Sequence, residues 1–237
     1  MGIIILRLRG FGTQLGDIFT MKLAIFDLDN TLIAGDSDYL WGEFLCDHGY
    51  INTENHRKVH QRFYDDYRKG NLDIMEFLEF QLKPLADNHP DTLHQWRQQY
   101  LDEKIKPVVL DKAITLINEH RERGHSLIII TATNRFLTEP IAPLFDIDEL
   151  IACDAEIIDG KYTGQPVGVP SYSVGKVVRL NEWLHNKNEI LEESWFYSDS
   201  HNDIPLLKFV DHAFAVDPDD QLKAEAEKNN WPIMSLR

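Results

Sequence analysis

Two aspartates stand two positions apart in Asp27-Leu-Asp29-Asn-Thr31, immediately after the apolar run Leu23-Ala-Ile-Phe26. One carboxylate so placed can attack phosphorus as a nucleophile. Its neighbour can protonate the leaving oxygen and later take a proton from attacking water. An acidic turn or a weak cation site would have the same pattern. A second acidic group, Tyr197-Ser-Asp199-Ser-His-Asn-Asp203, follows Trp195-Phe-Tyr197. Magnesium prefers hard oxygen ligands together with water and a phosphate oxygen, so Asp27 and Asp199 suit an open magnesium site. Asp203 can bind the metal or orient a neighbour, with Asn202 beside it in a supporting place. Taken alone, this stretch is a helix start, capped by Asp199 or Ser200 with Pro205 in the first turn.

Two further positions can handle an anion. Thr131 follows Leu127-Ile-Ile-Ile130, where its hydroxyl, nearby backbone N–H groups and Asn134 can donate to a phosphate oxygen. Lys176 opens a helical stretch after Ser173-Val-Gly175 and can offset charge on a carboxylate nucleophile and a transferring phosphoryl group. Taken alone, it is a surface lysine. Residues that select the rest of a substrate are sought in the aromatic and charged segment 34–106, with Asp36, Asp38, Glu43 and Arg68 as candidates. The acids suit an amine, and Arg68 suits a carboxylate. His56 and His60 are four apart and can share a helix face, but no HExxH accompanies them and a zinc site is not expected.

These residues need elements to bring them together. Each short apolar run followed at once by polar residues predicts a buried parallel strand ending at the chemistry. Val108 to Arg123 carries Ala113, Leu116 and Ile117 at helical spacing, with Gly124 as the stop; Val174 to Leu184 offers Val177, Val178, Leu180 and Leu184 for one face. Alternating strands and helices imply a Rossmann-like, doubly wound parallel α/β sheet, whose ligands bind beyond the carboxyl ends of the strands. Three segments far apart in sequence then converge on one site. Residues 34–106, with Tyr39-Leu-Trp41, Phe44-Leu45, Phe63-Tyr64, Tyr67, Phe77-Leu78 and Phe80, predict a helical insertion after the first strand, its aromatic stripes forming its own core. Asp159-Gly160 between Ile157-Ile158 and Tyr162-Thr163 predicts a β-hairpin.

The chain's 237 residues, 43% of them hydrophobic, suffice for one domain with a substantial insertion. A net charge of −15, from 39 acids against 24 bases, argues against nucleic acid or an anionic membrane surface as partner. The same charge repels a phosphate ester, so a phosphate site needs a metal or placed lysine and arginine side chains. Cys46 and Cys153 form no CxxC or Cys/His cluster, which fits a reducing cytoplasm. No apolar run approaches the roughly 20 residues of a membrane-spanning helix. Residues 1–20 are expected to be an extension to a protein that starts at Met21; the other reading makes residues 3–8 an added strand.

Taken together, the ordered set resembles the haloacid dehalogenase superfamily. Asp27-Leu-Asp29-Asn-Thr31 matches its first motif, Thr131 its second, Lys176 its third, and Asp199 with Asp203 its fourth, over about residues 21–216. The resemblance implies phosphoester hydrolysis through an aspartyl phosphate, with Asp27 attacking and Asp29 as acid and base. It also implies magnesium held by Asp27, the Asp29 carbonyl and Asp199, with Thr131 and Lys176 on the phosphoryl group and Asp203 supporting Lys176 or the metal. The implied division is an α/β core of residues 21–33 and 107–237 with a helical cap of 34–106. That cap is similar to those of the phosphoserine-phosphatase-like and histidinol-phosphatase-like branch, which makes a small phosphomonoester, such as histidinol phosphate or phosphoserine, the expected substrate. Two departures stand out. Ser198 replaces a frequent glycine, and Thr131-Ala-Thr133 replaces the Ser-Gly-Gly of phosphoserine phosphatases, which weakens the case for phosphoserine itself. The competing expectations are a dehalogenase or phosphonate hydrolase on the same scaffold, a lipid-phosphate phosphatase, and a non-catalytic α/β binding module.

Overall fold

The computed structural model describes residues 20–187 and 189–237. The expectation for residues 1–20 therefore lies outside the described residues, apart from Thr20, which opens the first strand. That strand, β1 (Thr20–Phe26), is the centre of a seven-stranded sheet. To one side lie β2 (Ser126–Asn134), β3 (Glu149–Ile158) and β4 (Lys161–Val167); to the other lie β5 (Ile190–Ser198), β6 (His212–Val216) and β7 (Ile233–Met234). The spatial order is β4-β3-β2-β1-β5-β6-β7, and every pairing is parallel except β3 with β4.

The side-chain period of two along the strands explains why the sheet is covered on both faces. Ala24 and Phe26 of β1, Ile129 of β2 and Tyr197 of β5 point into one apolar cluster. Leu23 and Ile25, Ile128 and Ile130, and Phe196 point into the other. Helix α5 (Asp111–Glu122) adds Ala113 and Ile117 to the first cluster, and α7 (Val174–His185) adds Leu180 to the second. Each helix falls within a residue or a turn of its expected span; α5 starts three residues late because Lys106–Val108 forms a 3₁₀ turn containing Pro107. The expected hairpin is present as β3 and β4, with Asp159 (φ 51°) and Gly160 (φ 76°) both left-handed in the two-residue turn.

Between β1 and β2 the chain forms α1 (Ser37–Asp47), α2 (Thr53–Arg68), α3 (Ile74–Ala86) and α4 (Pro90–Tyr100), as the insertion pattern predicts. Its exit and return are zipped side by side: the Ala34 N–H donates to the Val108 carbonyl at 2.7 Å, and the Leu110 N–H to that of Leu32 at 3.2 Å. The aromatic stripes form a core of their own only in part: the Phe63 ring packs on those of Phe77 and Phe80, each at 5.4 Å. Trp41, Phe44 and Tyr100 join the same cluster as Phe26 and Tyr197, and the Trp41 ring meets Phe136 at 6.1 Å. The helices lie against the sheet, so burial of their large apolar faces is shared with it. Phe63, Tyr64, Tyr67 and Phe77 instead line a cavity between helices and core.

Candidate active site

The chain runs from β1 outward to β2 and β3, then crosses back to β5 on the other side of β1. The carboxyl end of β1 is therefore the point where the winding reverses, and a crevice opens there. Asp27 follows Phe26 directly at that point, and its N–H donates to the Tyr197 carbonyl of β5 at 3.0 Å. Beyond it lies a cavity of about 490 Å³ whose walls include Asp27, Asp29, Lys176 and Asp203.

Lys176 connects two segments of the site. Its Nζ donates to Asp27 Oδ1 and to Asp203 Oδ2, each at 2.7 Å, and all three side chains are buried. The local sequence places this ammonium by a tight loop. Gly175 passes so close to the chain before it that an added Cβ would stand 2.0 Å from the Pro170 carbonyl oxygen, and Ser173 adopts φ 51°, ψ −124°. Ser198 holds Asp203 from the other side, its hydroxyl donating to the same Oδ2 at 2.7 Å. That contact gives a reason for serine where glycine was the expectation.

Asp29 occupies a separate pocket of donors. Its Oδ1 accepts the Ser37 N–H at 2.7 Å, and its Oδ2 accepts the hydroxyls of Thr133 at 2.9 Å and Thr131 at 3.3 Å. Ser37 in turn donates its hydroxyl to that of Thr133 at 3.2 Å. Burial and the nearby Asp36 carboxylate push the Asp29 carboxyl up to about 6, against the pull of the Ser37 hydrogen bond. Burial likewise raises Asp27 to about 7, although the Lys176 charge opposes it. For Lys176, burial alone would lower the ammonium, but Asp203 and Asp27 together overcome that and hold it protonated.

Asp199 lies on the far side of Asp27. The Thr31 hydroxyl is 3.4 Å from both Asp27 Oδ2 and Asp199 Oδ1, which brings the two carboxylates to one point. Burial, then the charge of Asp27, raises Asp199 well above the usual carboxylate range. Asn202 accepts the Tyr172 hydroxyl at 2.8 Å and donates to Ser200, whose hydroxyl also receives the Tyr67 O–H at 2.7 Å. This last contact ties the end of α2 to the loop after β5.

Residues 24–208 match the profile of a family described as haloacid dehalogenase-like hydrolase. The chain belongs to that family. Its haloacid dehalogenase-like fold is shared with a structure of a protein of unknown function from Bordetella pertussis Tohama I: TM-score 0.87, 38% identity, 92% of this chain and 100% of the other covered. A phospho-aspartyl intermediate analogue of phosphoserine phosphatase superposes with TM-score 0.66 at 17% identity, over 92% and 94% of the two chains. In sequence, a histidinol-phosphatase of Neisseria meningitidis serogroup C (strain 8013) is 39% identical over 220 residues, 91% of this chain and 99% of that one. As a family member the chain is a hydrolase.

Of the residues expected at the site, the fold brings Asp27, Asp29, Thr131, Lys176, Asp199, Asp203 and Asn202 together. It does not bring Asn134 to the cavity. That carboxamide caps the short helix α6 (Arg135–Thr138) by accepting the Leu137 N–H and donates to Asp38 at 3.2 Å, while Thr133 lines the cavity beside Ala132. Thr131 and Thr133 share one side of the strand and Asn134 falls on the other, a period-two signal the sequence contains. Arg68 is also displaced from its expected role. It lies exposed in the last turn of α2, its guanidinium 6.0 Å from the Tyr64 ring, and is absent from the cavity wall. Glu43 is taken by Arg57 at 2.6 Å. Thr31, Ser37, Thr133 and Ser198 are site residues that sequence reasoning missed: Thr31, Ser37 and Thr133 meet partners 168, 96 and 104 positions away, and Ser198 reaches Asp203 only because the turn after β5 folds back on itself.

Proposed function

We propose that this chain is a magnesium-dependent phosphomonoester hydrolase working through an aspartyl phosphate on Asp27. The observation that carries the proposal is the buried Asp27 carboxylate fixed by Lys176 at the wall of a cavity, with a second, protonatable carboxyl, Asp29, on the same wall. Asp27 Oδ1 attacks phosphorus, forming an O–P bond as the ester O–P bond breaks, and the departing oxygen takes the Asp29 proton. Asp29 then takes a proton from water as its oxygen attacks phosphorus, which releases phosphate and restores the Asp27 carboxylate. Lys176 neutralises charge on the attacking carboxylate and the phosphoryl oxygens, and Thr131, Thr133 and Ser37 keep Asp29 in place.

The donor set fits a divalent cation. Four carboxylates, Asp27, Asp29, Asp199 and Asp203, meet one ammonium, so negative charge is in excess. Hard carboxylate oxygens with room left for water and a phosphate oxygen are the ligands magnesium prefers. Asp27 Oδ2, Asp199 and the Asp29 carbonyl would hold it. When bound, magnesium supplies charge neutralisation to the phosphoryl group.

For the substrate, the relative's name supports histidinol phosphate over phosphoserine, and the cavity wall agrees. Lys176 is the one Lys or Arg among the described residues lining it, and it is committed to Asp27 and Asp203. A substrate carboxylate has no countercharge there. We read residues 34–106 as the cap over this cavity, and a reducing cytoplasm as the setting, which the two buried thiols of Cys46 and Cys153 suit. The test is phosphate release from a panel of phosphomonoesters with and without magnesium. Asp27→Asn is expected to lose more than about a thousandfold in kcat; undiminished activity in that variant, or full activity in chelator, would overturn the mechanism.

A further inference from the structure

We infer that Asp36 and His60 form the part of the cavity wall that selects the substrate's non-phosphate end, favouring phosphomonoesters that carry an amine and no carboxylate. The inference rests on the phosphomonoesterase reading and adds to it the residues that discriminate.

Four charged side chains were candidates for this work, and the fold separates them. Arg68 lies outside the cavity, Glu43 is paired with Arg57, and Asp38 is buried against Asn134. Asp36 and Asp38 both line the cavity, but Asp38 is 3% exposed and held by Asn134, whereas Asp36 is exposed to it and has no cationic partner among the described residues. It also caps α1, its Oδ1 accepting the Tyr39 N–H at 2.8 Å. Capping does not account for its charge, because asparagine, serine or threonine caps a helix as well. Its carboxylate faces the cavity with no fixed countercharge among the described residues, so an ammonium placed there gains a charge-assisted hydrogen bond that a neutral or anionic group does not.

His60 supplies an independent indication. It is 9% exposed, lines the same cavity, and makes no hydrogen bond or ion pair among the described residues. Its ring packs edge-on to Tyr39 at 5.1 Å, which places it beside the residue that Asp36 caps. Burial holds the imidazole below its ordinary value, against the pull of Glu43, so it stands neutral with a nitrogen able to accept from an ammonium N–H. The remaining surface is aromatic: Tyr39 and Tyr64, 46% and 49% exposed, with Tyr67, Phe63 and Phe77. Aromatic faces favour a cation as well as apolar carbon. A carboxylate in the same place would meet Asp36 and Asp29 instead.

The experiment compares two nearly isosteric esters, phosphoethanolamine and propyl phosphate, which differ in an ammonium against a methyl group, with phosphoserine as the added-carboxylate case. The wild type is expected to favour phosphoethanolamine over both others by at least tenfold in kcat/KM. Asp36→Asn retains the cap and is expected to lower the amine-to-propyl ratio at least tenfold; His60→Phe, which keeps the ring, is expected to lower it several-fold. Asp36 also acts on Asp29, whose effect varies with the leaving group, so the kcat/KM ratio is read together with binding measured without turnover. A wild-type ratio near one, a preference for phosphoserine, or an equal loss on both esters in Asp36→Asn would overturn the assignment. Calorimetric binding of the two esters to Asp27→Asn reads the same ratio without turnover. If the wild type hydrolyses no p-nitrophenyl phosphate while that binding ratio holds, the hydrolase reading fails and the role of Asp36 and His60 stands.

Discussion

Asp29 shows how much of the chemistry depends on where single hydrogen bonds fall. The Ser37 N–H fixes one oxygen and the Thr133 hydroxyl the other, so the carboxyl is held while burial keeps its affinity for a proton high. Asparagine at this position keeps an acceptor for Ser37 but carries no transferable proton. Asp29→Asn is therefore expected to slow alkyl phosphates by about 10²–10⁴-fold, the usual worth of a general acid, and p-nitrophenyl phosphate much less, because that leaving group departs without protonation. Plotting kcat against leaving-group pKa checks this, and a uniform loss would assign Asp29 a merely structural part. Asp27 and Asp203 differ from Asp29 in sharing one ammonium. Breaking either contact leaves a buried charge uncompensated, which is why Ser198 holding Asp203 has consequences beyond its own hydrogen bond.

At the scale of elements, the start of α7 sets the position of Lys176. Gly175 has no room for a side chain against Pro170, and Ser173 is held in a conformation natural to glycine. Gly175→Ala must push the helix start away from the 170–173 loop. It is expected to destabilise the fold by about 1–3 kcal/mol, as overpacking does. A shift of about 1 Å in the ammonium would also cost about a hundredfold in kcat. Denaturant midpoints and kcat measured on the same preparation check both, and wild-type kinetics would show that Lys176 is not placed by this contact. The helices before β2 illustrate a second point. Their aromatic residues divide between the sheet's own core and the cavity wall, so one insertion both stabilises the fold and shapes the space above Asp27.

For the molecule as a whole, the excess of buried negative charge couples metal binding to stability. Magnesium is expected to raise the melting temperature of the wild type, and a concentration 100 times Kd contributes about 2.7 kcal/mol, which is about 2–4 °C per kcal/mol in a chain of this size. Asp199→Asn is expected to lose that rise and, in chelator, to melt above the wild type, because it removes a carboxylate whose ionised form is penalised by burial and by Asp27. Scanning calorimetry with and without magnesium decides it. Acid stability has a separate origin in His56 and His120. Burial lowers both to about 4, with His60 adding to the effect on His56 and His125 to that on His120. Below pH about 6.5 the unfolded chain takes up protons that the folded chain refuses, so stability falls until the pH reaches about 4 and the difference closes. His120 bridges His125 and the Tyr197 hydroxyl, each at 2.8 Å. His120→Gln is expected to flatten the dependence of the urea midpoint between pH 6.5 and 4; an unchanged slope would assign the effect elsewhere.

The sequence by itself determined which segments are strands of the central sheet and which residues stand at their ends. A short apolar run followed at once by Asp27, Thr131 or Ser198-Asp199 is a local pattern, and parallel winding around β1 then has few ways to arrange such runs. The insertion of helices after the first strand and the hairpin at Asp159-Gly160 were legible for the same reason: period and turn chemistry act over a few residues. The short strands β6 and β7 had no such signal, being five and two residues long. Only the tertiary structure decided the partners. Thr31 joins Asp27 to a carboxylate 168 positions away, and Ser37 supports a threonine 96 positions away. Arg68 is excluded from the cavity, and Asp36 is left there without a countercharge among the described residues, by how α1 and α2 rest on the sheet. Distances between side chains so far apart in the chain follow from packing, and no local pattern encodes them.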